Sequence, residues 1–165
     1  TTLDAALQRS LEPRASTPAG RLEAVRALAA SGVPAGVLVA PVIPGLTDHE
    51  IPAILAAAAE AGARFAGFVP LRLPGAVAGL FDSWLARHAP DRREKVLRRI
   101  EAIRGGRRND PRFHSRMRGE GIYAEQIADL FRVAARRHGL DRGDPALSAA
   151  SFRVPGRDVQ GRLFG

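Results

Sequence analysis

At 165 residues, with 45% hydrophobic and 25% charged residues, the chain is long enough for one domain with a core of its own, which excludes wholesale disorder. It has no cysteine, so neither disulfides nor thiolate metal sites can be built from it, and His49, His88, His114 and His138 are spaced too widely for a local ligand pair. The net charge of +8 arises between Arg87 and Arg118, where 12 Lys or Arg face 4 Asp or Glu; no apolar run approaches the ~20 residues that span a bilayer and no secretory signal opens the chain, so a cytoplasmic protein is expected.

In chain order, Asp4 to Leu11 reads as a short helix with Leu3, Leu7 and Leu11 on one face, broken by Glu12-Pro13-Arg14. Thr17 then offers an N-cap and Pro18 a first helical residue, and Leu22, Val25, Leu28 and Ala29 recur at helical spacing until Gly32. A strand begins near Pro34. Its run Val37-Leu38-Val39-Ala40 does not alternate with polar residues, which suits a parallel strand covered on both faces, and Pro41, Pro44 and Gly45 end it in a rigid loop. Thr47-Asp48-His49-Glu50 has the spacing of a capping box, and Ile51, Ile54, Leu55, Ala58 and Ala59 stripe the helix expected after it.

Gly62 ends that helix before a second strand, Arg64 to Val69, which Pro70 and Pro74 terminate. Val77 to His88 reads as helix with Leu80, Phe81, Trp84 and Leu85 inward; Asp91 is the expected cap of another through Arg104, with Val96, Leu97, Ile100 and Ile103 inward. Gly105 to Gly121 reads as a long basic loop, and Tyr123 to His138 as a final helix with Ile127, Leu130, Phe131 and Ala134 inward. From Asp141 onward the sequence is turn-rich.

Helix, strand, helix, strand, helices with short connections is the pattern of parallel βαβ units. Two strands cannot cover the apolar faces of so many helices, and the one methionine, Met117, leaves the chain without an initiator. The expectation is an α/β fold forming the C-terminal half of a barrel, with residues 1–140 an incomplete domain carrying a helical extension and 141–165 an extended tail.

The ordered set Thr1-Thr2-Leu3-Asp4, Leu11-Glu12-Pro13-Arg14, Arg21-Leu22 and Val39-Ala40-Pro41-Val42-Ile43-Pro44-Gly45-Leu46-Thr47-Asp48 resembles radical S-adenosylmethionine proteins. Within them it looks most like the bacterial branch related to spore photoproduct lyase and often labelled DNA repair photolyase; Met117 to Glu125 fits the same branch, and the resemblance covers about Thr1 to Leu140. It implies a partial (β/α)6 TIM-type barrel. A Cys-x3-Cys-x2-Cys loop in a first half, outside this chain, would hold a 4Fe-4S cluster whose electron cleaves S-adenosylmethionine to a 5′-deoxyadenosyl radical.

The resemblance also implies site residues. Thr1 and Thr2 would approach the ribose or amino acid part of S-adenosylmethionine, Arg21 would pair with its carboxylate with Glu12 orienting it or Arg14 in its place, and Val39, Ala40 and Pro41 would lie against adenine with Ile43 and Pro44 closing the side. Arg72, just past the second strand, would face substrate. Each has a plainer reading as a local hydrogen-bonding, core or surface residue. The alternative function is a nucleic-acid-binding module built on Arg87 to Arg118, compatible with a DNA substrate; Arg104-Gly105-Gly106-Arg107-Arg108 is a single arginine-glycine copy without interleaved aromatics. A generic metabolic barrel would need a phosphate-binding turn after a late strand, and none is present. His49 and His114 are assigned no catalytic role.

Overall fold

The computed structural model describes residues 1–112, 115–141, 143, 148–150 and 152–153. Asp4 accepts hydrogen bonds from the amides of Ala6 and Leu7 and starts α1 (Ala5–Leu11). Thr17 accepts from the Gly20 amide and Pro18 opens α2 (Pro18–Ala30), so both caps satisfy amides that a helix leaves bare. The strand β1 (Gly36–Val42) follows, then a single 3-10 turn (Asp48–Glu50) leading into α3 (Ile51–Glu60), and β2 (Phe65–Pro70) returns parallel to β1. Among the described residues four further helices follow: α4 (Val77–His88), α5 (Pro90–Ala102), the short α6 (Ser115–Arg118) and α7 (Ile122–Arg137).

The sheet pairs Gly36 with Phe65 through Val39 with Phe68, and the register breaks between Val39 and Val42, where the Ala40–Pro41 peptide is cis. Gly36 is required by a close approach: a Cβ there would lie 2.1 Å from the Phe65 ring, which covers the start of β1. The outer side of β2 is partly closed by an antiparallel bridge from Phe65 to Asp141 and by the Ala66 amide on the Leu140 carbonyl.

Successive residues of β1 and its loop feed two separate cores. Val39 and Val42 pack with Ile51, Ile54 and Leu55 of α3 and with Ile127 and Ala134 of α7, while Phe68 and Phe131 meet beside them with ring centroids 4.7 Å apart. Ile43, Leu46 and Leu73 pack instead with Phe81 and Leu85 of α4 and Val96, Leu97 and Ile100 of α5.

Several expectations are corrected. The described residues form a two-stranded sheet and not half of a six-stranded (β/α)6 barrel. Helices that would line the outside of a barrel pack on one another, α3 against α7 and α4 against α5, and so bury their stripes without further strands. The capping box does not form: the Thr47 hydroxyl accepts from the Ile43 amide within the loop, and the Glu50 carboxylate reaches Thr2 and Leu3 instead. Asp91 does not cap α5, whose first residue is Pro90. Leu80 and Leu130 are exposed beside the buried Phe81 and Ile127, and Leu28 is exposed on α2, where Pro18 is the buried residue. The 105–121 segment contains α6, and most of the 141–165 tail, together with His114, lies outside the described residues.

Candidate functional site

A cleft of about 250 Å³ lies between α2 and β1, with Ile54 and Ala58 of α3 at its back. Its apolar wall is Val37, Leu38, Val39 and Ala40 of β1 opposite Leu22 and Val25 of α2, and Thr1, Thr2 and Arg21 are its polar residues. Leu38 is 61% exposed, a large apolar side chain left in the open on an otherwise covered strand.

Thr1, Thr2, Arg21, Val39 and Ala40, scattered over forty positions of sequence, therefore share one cleft. Their hydrogen bonds differ from what the sequence suggested. Thr1 runs along the outer edge of β1: its backbone nitrogen donates to the Pro41 carbonyl at 3.1 Å, and its hydroxyl donates to the Ala40 carbonyl while accepting from the Ala40 amide. Thr2 is buried, donating to Glu50 Oε1 at 2.7 Å and accepting from the Asp4 amide, while Glu50 Oε2 accepts from the Leu3 amide at 2.7 Å. Both hydroxyls thus fasten residues 1–4 to β1 and to the start of α3.

Arg21 is different. Its guanidinium meets Glu12 at 2.5 Å, both side chains about one-third exposed, so the carboxylate fixes the arginine at the mouth of the cleft while leaving it open to solvent. Arg14 is exposed and does not line the cleft, nor does Pro41. Ile43 and Pro44 are buried beyond it, Ile43 in the second core. Arg72 stands apart from this cleft, past the C-terminal end of β2, with its Nη1 3.8 Å from the sulfur of Met117.

Three tertiary clasps escaped sequence reading. Glu50 looked like a capping residue and is a latch. The only tyrosine, Tyr123, donates a short hydrogen bond to Asp48, which also accepts from the Gly45 amide at 3.0 Å, and Arg99 stacks 4.5 Å above the tyrosine ring. Burial, and then the Asp48 carboxylate, push the Tyr123 hydroxyl up to about 12. Arg104 is 98% buried and donates to four backbone carbonyls, those of Pro70, Leu71, Ser115 and Arg116. Its place four residues after Ile100, on the apolar side of α5 extended by one turn, was the available signal.

Much of the basic region is neutralised internally. Asp82 takes both Arg93 and Arg108, Arg108 also reaches Glu101, and Arg112 joins Asp110 to Glu120. With Arg99 on Asp48 and Arg104 inside, the cationic surface is smaller than the count of charges implies.

An uncharacterized protein of Mycobacterium bovis and two of Mycobacterium tuberculosis are each 37% identical to this chain over 163 residues, covering 98% of it. The chain spans only 44% of the length of these curated relatives. No protein-family profile matches it, and no solved structure does.

The iron–sulfur chemistry implied by the resemblance is corrected at the level of this chain. There is no cysteine, and among the described residues no group of three or more His, Asp or Glu could hold a metal ion, so these residues fit no 4Fe-4S cluster. Among the described residues, no helix is long and apolar enough to cross a membrane.

Proposed function

We propose that the cleft between α2 and β1 is one wall of a binding site for S-adenosylmethionine, within a longer enzyme that acts on that molecule. The observation that carries this reading is Arg21, held by Glu12 at the mouth of an otherwise apolar cleft. A guanidinium already oriented by one carboxylate keeps further N–H donors for a second, and the amino acid end of S-adenosylmethionine supplies one. The β1 wall from Val37 to Ala40 offers an apolar surface to an adenine ring, and exposed Leu38 gains from being covered. Thr1 and Thr2 act here as positioning residues, because their hydroxyls are engaged by Ala40 and Glu50.

The test is equilibrium binding of S-adenosylmethionine to the protein at its full length. Arg21→Gln is expected to weaken binding about tenfold to a hundredfold, the worth of a charge-assisted hydrogen bond. Binding that is absent in the parent protein, or unchanged in Arg21→Gln, overturns the proposal.

A further inference from the structure

The C-terminal end of β2 holds two arginines that, among the described residues, carry no ion pair to a carboxylate. Arg104 is buried and Arg72 half-buried, and both bridge the same two stretches of chain. Arg104 donates through Nη2 to the carbonyls of Pro70 and Leu71, at 3.2 and 2.8 Å, and through Nη1 to those of Ser115 and Arg116, at 3.1 and 2.8 Å. Arg72 follows Leu71 directly, and its Nη1 points at the sulfur of Met117, the residue after Arg116. The Nε atoms of both guanidiniums are shielded from solvent and have no hydrogen-bond partner among the described residues.

Carbonyl dipoles hold a guanidinium in place but bring no net negative charge of their own, and a second positive charge nearby repels it. Burial disfavours the charged form of Arg104; Asp110 partly offsets this, and the neighbouring charge of Arg72 adds to it. For Arg72 the described residues supply only a thioether, a weak acceptor, where a guanidinium can make five hydrogen bonds. In parallel α/β sheets the C-terminal ends of strands are where ligands are received.

We propose that Arg72 and Arg104 form a site for an oxyanion, the phosphate or carboxylate group of a small-molecule ligand. Arg104, pinned by four carbonyls, supplies fixed positive potential, and Arg72, the more accessible of the two, makes the direct contact. The site lies on different residues from the α2–β1 cleft and does not depend on what that cleft binds.

The experiment is a titration of the full-length protein with inorganic phosphate and, separately, with acetate, at constant ionic strength set by chloride. The signals followed are the arginine Nε–H resonances in proton–nitrogen spectra. Saturable shifts at Arg72 and Arg104 are expected with at least one of the two anions; phosphate alone assigns a phosphate ligand and acetate alone a carboxylate. Arg72→Gln is expected to weaken the same anion about tenfold or more, whereas Arg87→Gln, a change at an exposed arginine on α4, leaves it unaltered. Circular dichroism verifies that each variant is folded. Absence of saturable shifts with both anions, or equal affinity in folded Arg72→Gln, overturns the proposal.

Discussion

Tyr123 shows how one side chain can hold three elements together. It lies in the first turn of α7, reaches back to Asp48 beyond the β1 loop, and carries Arg99 of α5 on its ring. Tyr123→Phe keeps the ring and the arginine stacking but removes one donor from the Asp48 carboxylate, which keeps the Gly45 amide and Arg99; about 1 kcal/mol of stability should be lost in chemical denaturation. Because this is the only tyrosine, ultraviolet absorbance titrates it alone. The folded protein should ionise near pH 12 and the unfolded chain near the ordinary value of 10.0. A raised folded value favours the protonated, folded form, so this contribution is complete below pH 10 and disappears as pH rises toward 12. An absorbance step near pH 10 in the folded protein would show that Tyr123 is not clasped.

At the scale of elements, local chemistry explains most of what forms. Thr17-Pro18 starts α2 and Asp4 starts α1 because hydroxyl and carboxylate oxygens satisfy bare amides whatever the rest of the fold does. The same reasoning failed at Thr47 and Glu50, where a distant partner competed for each side chain and won: the Ile43 amide for one, Thr2 and Leu3 for the other. Parallel pairing of β1 and β2 adds a demand no local pattern displays, the Phe65 ring over Gly36. Gly36→Ala should force that ring out of place and destabilise the fold by about 1–3 kcal/mol, read as a lowered melting temperature, whereas Gly79→Ala, which meets nothing within 4 Å, should not.

For the whole molecule, arginine-rich composition is turned into acid sensitivity by a few carboxylates. Arg112 and then Ser115 hold the Asp110 carboxyl well below its ordinary range, and Asp110 is itself inside the fold. A depressed folded value contributes stability above the ordinary 3.8 and loses it as pH falls through the folded value. The melting temperature of the parent protein should therefore exceed that of Asp110→Asn at pH 7, with the gap closing progressively below pH 3.8. A gap that stayed constant into strong acid would mean that the carboxylate contributes nothing through its charge.

The sequence by itself determined the order and type of the main elements and the apolar stripes of α3 and α5, and that of α7 apart from Leu130, since periodicity and end chemistry act over a few residues. The resemblance, not periodicity, grouped Thr1, Thr2, Glu12, Arg21, Val39, Ala40 and Pro41; five of these line the α2–β1 cleft, while Glu12 and Pro41 do not. Only the tertiary structure decided that helix packs on helix where barrel strands were expected, and that Thr1 and Thr2 are tied to Ala40 and Glu50. It alone decided that Arg104 is buried on carbonyls. Each of these depends on which distant groups compete for the same hydrogen bond or apolar surface, and that competition is settled only when the chain has closed on itself.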